Sequence, residues 1–325
     1  MALVALLSNP RSTGNISQLP RVRSFCANEK DIFHYEVEEV GQIGEALRII
    51  ARVKPKVLVL NGGDGTVQAA LTELYQGGHF GEPPPPVAVL PNGKTNLIAQ
   101  DLGAAGDPIS VLERILELAR TDMAPHIVER ELIALTHGAA GGRPVLGMFL
   151  GGAGLADTML YCRDKIYPLG LPNWLAHGLT FLIGMTSILI GRSGTNFLPL
   201  PARALTVSVT RSGVRHGAFA FLMVTTLQRL LLSSTLAGAG HPHGSMQLLL
   251  IDRSFPALVR AFVAALRGQL GSGSLSGVHV ERGDEIRIEG ARSNVILDGE
   301  TFIADMGRPI VLRPTAPVPF LRLAV

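Results

Sequence analysis

The sequence predicts an α/β protein: an N-terminal doubly wound parallel-sheet domain, then a mainly antiparallel β domain. Three observations carry that prediction. Short aliphatic runs alternate with helical periodicity up to about residue 125, the pattern of βαβ units. Beyond that point the apolar runs are joined by stretches rich in Gly, Ser and Pro, which favours strands linked by turns. Finally, "VLVLNGGDGTVQAAL" (57–71) passes directly from a strand through glycines into a helix. A buried parallel strand delivers its carboxyl end to a ligand in this way.

Taken in order, residues 3–7 read as the first strand, followed by the turn "NPRSTG" (9–14). Residues 32–40 read as a second strand and 43–53 as a helix. Residues 57–60 are short and aliphatic, as in a strand buried on both faces. Val67, Ala70, Leu71 and Leu74 then recur at helical spacing, so the chain turns across 61–66. After the linker "GGHFGEPPPP" come a strand at 87–90, the turn "PNGKT" and a helix from Asn96. Residues 111–120 form one more amphipathic helix. The turns after Leu7, Leu60 and Leu90 share the edge of a parallel sheet where ligands bind. This first domain is expected over 1–125 and the second over 126–325, with the last segment able to return to the first. In the second, strands are expected at 127–135, 145–151, 205–211, 218–225, 246–251, 278–281, 285–289 and 294–297. Helical pieces are expected near 174–189 and 255–267. No internal repeat is evident, and "GSGSLSG" (271–277) reads as a flexible connector.

Composition narrows the function. Hydrophobic residues make up 47% of the 325 residues and charged residues only 17%, so a large core is possible beside an apolar surface. The net charge is +3 and the pI about 9.1. No Lys/Arg run alternates with aromatics, which argues against nucleic acid; weak attraction to an anionic membrane surface fits. Cys26 and Cys162 provide neither a disulfide framework nor metal-ligand spacing. The opening "MALVALLSNP" lacks the basic start of a signal peptide and reads as a strand, so a cytoplasmic location is expected. "LPNWLAHGLTFLIGMTSILIG" (171–191) has the length of a membrane span. Its Asn, His, glycines and hydroxyls favour a buried or membrane-contacting helix.

The turn at 61–66 poses the chemical question. Glycines let another group approach the backbone, and amides at a helix N-terminus attract anions, above all phosphate. Asp64 inside such a turn would repel a phosphate unless a cation lay between them. The stretch therefore suggests a nucleotide with Mg²⁺. "PNGKTN" (91–96) looks like the end of a Walker A loop, but Ala88 stands where its first glycine belongs. It reads instead as a second phosphate- or ribose-contacting turn. "LDGE" (297–300) places Asp298 and Glu300 around a glycine; alone it signals a hairpin.

Together, "NPRSTG", "GGDGT", "LPNGKTN" and "LDGE", in that order, resemble the diacylglycerol kinase catalytic-domain family, the bacterial lipid kinases related to sphingosine and ceramide kinases. "RDKIYPLG" (163–170) is similar to a basic mid-chain stretch of that family. "GGDGT" is shared with the NAD kinases and does not decide between them; "LDGE" and the GxTN turn favour the lipid kinases. The resemblance implies a two-domain fold of the NAD kinase/diacylglycerol kinase type, with ATP and Mg²⁺ in its cleft. It implies an ATP-dependent lipid kinase whose acceptor is a diacylglycerol-like, ceramide or long-chain-base hydroxyl. By matching positions, the amides of Gly62, Gly63 and Gly65 and the Thr66 hydroxyl would hold phosphates. Asp64 would act through Mg²⁺, directly or through water. Asn9 and Asn96 would line the nucleotide site, with Gly93, Lys94 and Thr95 beside them. Asp298 would be the general base and Glu300 its support. The expected partner is a membrane lipid, reached by peripheral contact at the inner face of the membrane, with a homodimer compatible and nucleic acid not expected. The apolar stretches 171–191 and "FLMVTTLQRLLL" (221–232) are candidates for an acyl-chain pocket or membrane face, with core packing as the simpler account.

Three departures from the family pattern stand out. Lys94 replaces the Thr of the usual G-T-x-N turn, and Leu97 follows Asn96 where Asp is frequent; Lys94 is either a point charge on a phosphate or a solvated lysine. In "HGSMQLLLID" (243–252), Ser245 and Leu248 stand where many bacterial relatives carry the aspartates of a structural Mg²⁺ site, so that site is expected to be absent. "HPH" (241–243) has no acidic partner and reads as loop. Two rivals follow: an NAD kinase-like enzyme with a soluble acceptor, and a non-catalytic nucleotide- or lipid-binding homologue. Retention of both Asp64 and Asp298 argues against the second.

Overall fold

The computed structural model describes residues 2–81, 83–137, 142–166, 203–228, 245–270, 274–290 and 292–323. The apolar stretch 171–191, residues 167–170 of "RDKIYPLG", residues 229–232 and "HPH" with Gly244 lie outside the described residues. The chain forms two compact units: Met1–Leu132 with Val145–Gly147 and Thr315–Val325, and Ile133–Pro144 with Met148–Pro314.

The first unit is the doubly wound α/β domain. Its sheet runs β2 (Ile32–Glu36), β1 (Val4–Ser8), β3 (Val57–Asn61), β4 (Val87–Val89), β17 (Val318–Leu321), β5 (Ile127–Arg130). The first four strands pair in parallel, as does β17 with β4, and β5 closes the edge antiparallel to β17. β1 and β3 are buried along their whole length, which explains their unbroken aliphatic character. Strand order reverses around β1 and β3, the switch point where such sheets bind ligands.

The helices are α1 (Asn15–Asn28), α2 (Ile43–Val53), α3 (Asp64–Gln76), α4 (Leu97–Asp101) and α5 (Pro108–Arg120). α2 buries Ile43, Ala46, Leu47 and Ile50, an i, i+3, i+4, i+7 stripe. α5 starts at Pro108 with Asp107 as N-cap, its carboxylate accepting from the Ser110 amide. β7 (Val145–Gly147) packs on α3, where the Thr72 hydroxyl accepts from the Leu146 amide at 3.0 Å.

The second unit is an antiparallel sheet in the order β15 (Glu300–Ala304), β14 (Ser293–Leu297), β8 (Phe149–Gly152), β10 (Gly213–Thr225), β9 (Ala204–Val209), β13 (Ile286–Gly290), β16 (Ile310–Pro314), β6 (Ile133–His137). β11 (Met246–Asp252) pairs with β10 and with β12 (Val278–Gly283). Two helices accompany it, α6 (Gly154–Tyr161) and α7 (Phe255–Leu266). α7 turns Ala257, Ala261 and Ala264 onto a core with Met223, Leu249, Ile251 and Val278. Small side chains let the helix sit close to the sheet.

Several sequence expectations need correction. Residues 127–135 are two strands, β5 and β6, and these belong to different sheets. The second strand ends at Glu36, and a 3₁₀ turn (Val40–Gln42) leads into α2. α1, α6, β15, β16 and β17 had no predicted counterpart. Among the described residues no helix is long and apolar enough to cross a membrane.

Candidate functional site

The three turns at the carboxyl edge of the first sheet do meet. β1 ends in buried Ser8, with buried Asn9 next, β3 ends in buried Asn61, and buried Asn92 follows β4. The Asn9 side-chain amide donates to the Thr66 hydroxyl at 2.9 Å. Asn15, the first residue of α1, donates to the carbonyls of Asn9 (2.8 Å) and Asn61 (3.0 Å). Asn92 donates to the side-chain carbonyls of Asn61 (2.7 Å) and Asn15 (3.0 Å), and Asn61 donates to the Ser8 hydroxyl at 2.9 Å. Ser8 in turn meets His34 Nε2 at 2.9 Å; burial holds that imidazole below its ordinary pKa. Each of these polar groups is desolvated, and an unmet one would cost about 1–3 kcal/mol. Satisfied together they fix the loops after β1, β3 and β4 against one another.

The glycine turn lies on this platform. Gly63 is the N-cap of α3, and its amide donates to the Ser12 hydroxyl at 2.8 Å. A side chain at Gly62 would collide with Thr66, whose side-chain carbons lie 2.7 Å from an added Cβ. At Gly14 it would strike the Asn92 carbonyl oxygen at 2.5 Å. Gly65 and buried Thr66 occupy the first turn of α3. Gly93 donates to the Asn96 side-chain carbonyl at 2.6 Å, and Asn96, in the left-handed region (φ 54°), caps α4. An added Cβ at Gly93 would lie 3.2 Å from Gly63 Cα, so the two turns touch. Thr95 hydrogen-bonds Asp64, joining them chemically. Lys94 is exposed.

Asp64 is the only acid in the first turn of α3. Burial raises its pKa, and the bond to Thr95 opposes the shift only in part. Burial thus makes this carboxyl harder to ionise than an exposed one, and a cation would relieve that. Mg²⁺ fits: it takes hard oxygen ligands and is commonly held by one or two carboxylates plus substrate phosphates. Among the described residues no three His, Cys, Asp or Glu gather as a self-sufficient metal site.

Asp298 and Glu300 lie in the second unit. Asp298 (φ 43°) and Gly299 (φ 94°) are the two turn residues between β14 and β15, both with φ > 0 as a type I′ hairpin needs. The hairpin expected from "LDGE" is real, yet the aspartate does more than turn. Its Oδ2 accepts from the Met148 amide at 2.8 Å and its Oδ1 from the Phe149 amide at 3.0 Å. Its own amide donates to the Phe149 carbonyl at 2.9 Å. Asp298 is buried while Glu300, at the start of β15, is exposed.

Sequence reasoning passed over several residues. Ser12, Asn15, Asn61 and Asn92 carry the platform; the available signal was an asparagine at or within three residues of the end of each of three strands. Asp157 on α6 is a half-buried carboxyl whose pKa is raised by burial and to which Asn294 donates at 3.2 Å. It follows Ala153, which holds φ 54°, ψ −139°, a strained conformation of the kind that clusters at functional sites. The Cys26 thiol is pushed up to about 11 by burial, which leaves it inert.

A parallel sheet whose switch point carries a glycine turn and a helix N-terminus has the features that phosphate-binding α/β units use. Residues 3–125 match the family model of the diacylglycerol kinase catalytic domain, in agreement with the resemblance read from the three motifs within that range; "LDGE" (297–300) lies beyond it. The match places this part of the chain among kinase, that is phosphotransferase, domains. No curated protein matches the chain. Solved structures share the fold over nearly its whole length. One is a proposed diacylglycerol kinase from Bacillus anthracis str. Sterne, 17% identical, covering 99% of this chain and 98% of the other, TM-score 0.64. Another is a diacylglycerol kinase from the same strain, 14% identical, covering 98% and 96%, TM-score 0.59. A third is an NAD kinase from Archaeoglobus fulgidus in complex with ATP, 12% identical, covering 98% and 93%, TM-score 0.50. The expected fold class, a diacylglycerol kinase/NAD kinase-like parallel-sheet domain followed by an antiparallel β domain, holds.

Proposed function

We propose that this protein is an ATP-dependent lipid kinase that transfers the γ-phosphate to the hydroxyl of a membrane lipid, diacylglycerol-like or of the ceramide/long-chain-base type. The observation that carries the reading is Asp64: a carboxyl disfavoured by burial inside a turn whose amides favour anions. The combination becomes favourable when nucleotide phosphates and a cation arrive together. The family match of this segment supports the reaction class, and a lipid acceptor is in keeping with the matched model's description as a diacylglycerol kinase catalytic domain.

In this reading Gly62, Gly63, Gly65 and Thr66 hold phosphate oxygens. Gly63 already donates to Ser12, so binding there exchanges a hydroxyl acceptor for a phosphate one. Asp64 would hold Mg²⁺, which when bound would neutralise phosphate charge. Asn9 orients the Thr66 hydroxyl, Asn96 fixes the Gly93 turn, and Lys94 adds a positive charge. Asp298 accepts the proton of the lipid hydroxyl as the new P–O bond forms. Each of its oxygens receives one backbone amide, contacts that hold the carboxylate in one orientation. Glu300 supports the base from the adjoining strand. The protein works from the cytoplasm in peripheral contact with the inner face of the membrane.

The test is transfer of labelled γ-phosphate to a panel of lipids and to NAD. Label in at least one lipid, lost in Asp64→Asn, is expected. Label in NAD alone would replace the lipid acceptor with a soluble one. ATP binding without transfer to any acceptor would make the protein a binding homologue.

A further inference from the structure

We infer that the outer face of α7 docks the protein on an anionic membrane surface; this rests on the lipid-kinase reading for its purpose but is tested apart from it. α7 turns its alanines to the core. Its opposite face carries Phe255, Val259, Phe262 and Leu266, exposed by 39%, 38%, 46% and 64%. These positions follow i, i+4, i+7, i+11, which at 3.6 residues per turn confines them to an arc of about 60° along roughly 18 Å of helix. Single exposed apolar residues are ordinary. Four in register on one helix, including two phenylalanines, are not.

Charge identifies the occupant. Arg260 and Arg267 are exposed and lie at i+5 and i+12 from Phe255, on one flank of the stripe. From residue 253 to residue 280 the sequence contains no Asp or Glu. Arg260 gives one donor to the Ser276 carbonyl, and a guanidinium has five. An apolar stripe with flanking arginines is the pattern of a helix lying in the plane of a membrane interface, its apolar face among the acyl chains and its cations at the headgroups. A second copy of the chain suits the face less well. A two-fold contact centred on the stripe would bring the same arginine flank from both copies, with no acidic residue in this segment to answer it.

The experiment is co-sedimentation of the full chain, without nucleotide, with vesicles of phosphatidylcholine alone or mixed with phosphatidylglycerol. Wild type is expected to prefer the mixed vesicles, with the preference reduced at high salt. Leu266→Glu is expected to lower partitioning by at least about 10-fold. Arg260→Gln with Arg267→Gln is expected to abolish the preference for anionic lipid but leave weak binding to phosphatidylcholine. All three sites are exposed, so the thermal midpoints should match wild type. Leu266→Glu partitioning like wild type would overturn the inference. So would a wild-type dimer that binds no vesicles and that Leu266→Glu dissociates, which would assign the face to a second copy. Vesicle binding by a protein that phosphorylates no lipid would leave the docking face standing and remove the proposed function. Phosphorylation of vesicle lipid at an undiminished rate by Leu266→Glu would do the reverse.

Discussion

Asp298→Asn separates two roles that the structure assigns to one carboxylate. The side chain receives two backbone amides, one on each oxygen, from Met148 and from Phe149, the first residue of β8. Asparagine tolerates the left-handed turn conformation about as well as aspartate, so the backbone is not the source of the effect. Its single carbonyl oxygen satisfies one amide, while its NH₂ points donor-to-donor at the other. Leaving a buried donor unmet costs about 1–3 kcal/mol. For a unit of this size each kcal/mol lowers the melting midpoint by about 2–4 °C. The expected drop is therefore about 2–12 °C, read by differential scanning calorimetry in the absence of ligand. Loss of the general base should separately lower turnover by about 10²–10⁴-fold, read at saturating ATP at a temperature well below the mutant's midpoint. An unchanged midpoint would refute the bidentate contact. Turnover within a few-fold of wild type in folded mutant would remove Asp298 from the chemistry and leave it as a hairpin anchor.

Asp64→Asn should abolish most of the Mg²⁺-dependent gain in ATP affinity in calorimetric titrations and raise the melting midpoint of the nucleotide-free protein at neutral pH, because a disfavoured buried charge is removed. The sign of the pH dependence follows from the raised pKa of Asp64: below the unfolded value both states are protonated and no penalty exists, and as pH rises through the folded value stability is lost. Melting curves across that window should thus show wild type and Asp64→Asn converging at the acid end and separating above it, while Mg²⁺–ATP affinity of wild type rises over the same range. Asn61→Ala should lower the midpoint by several degrees, because Asn92 and Ser8 each lose a partner at about 1–3 kcal/mol per unmet group. It should also weaken ATP binding without altering the anionic-lipid preference of the protein. Presentation of the acceptor lipid in mixed vesicles should raise turnover over detergent dispersion of the same lipid, and equal rates would argue against membrane contact.

The legible parts of the fold were those fixed by local pattern. β1, α2 and β3 are buried on predictable faces, and their limits fall within a residue or so of the apolar runs; α3 was expected after the turn at 61–66 but already begins at Asp64, inside it. α1 escaped because polar residues and Pro20 dilute its periodicity, although Leu19, Val22 and Cys26 are buried. β16 and β17 escaped because "RPIVLRPTAPVPF" breaks into prolines, and what makes these segments strands is their distant partners, β6 and β13 for one and β4 and β5 for the other. The division of 127–135 between two sheets was likewise invisible: no local signal at Glu131 and Leu132 announces that the chain changes sheets. At the site, the glycines and acids were readable from their motifs, because each needs a special residue type. The asparagines that hold those loops were not, because a buried Asn looks in sequence like any polar turn residue.

That asymmetry has a physical cause. A glycine turn is selected one residue at a time, by the room a phosphate or a carbonyl requires. The platform beneath it is selected as a set. Asn15 meets the loops after β1 and β3 through its NH₂ and receives Asn92, from the loop after β4, on its carbonyl. Asn61 closes the circuit by accepting from Asn92 and donating to Ser8. No backbone turn supplies donors and acceptors in these directions, and water cannot reach buried atoms to replace them. Removing one member strands the others, so the desolvation cost that makes the set unfavourable in pieces makes it rigid when complete. A phosphate-binding turn resting on such a platform meets its ligand with little reorganisation, the condition under which positioning and electrostatics do most of the work in phosphoryl transfer.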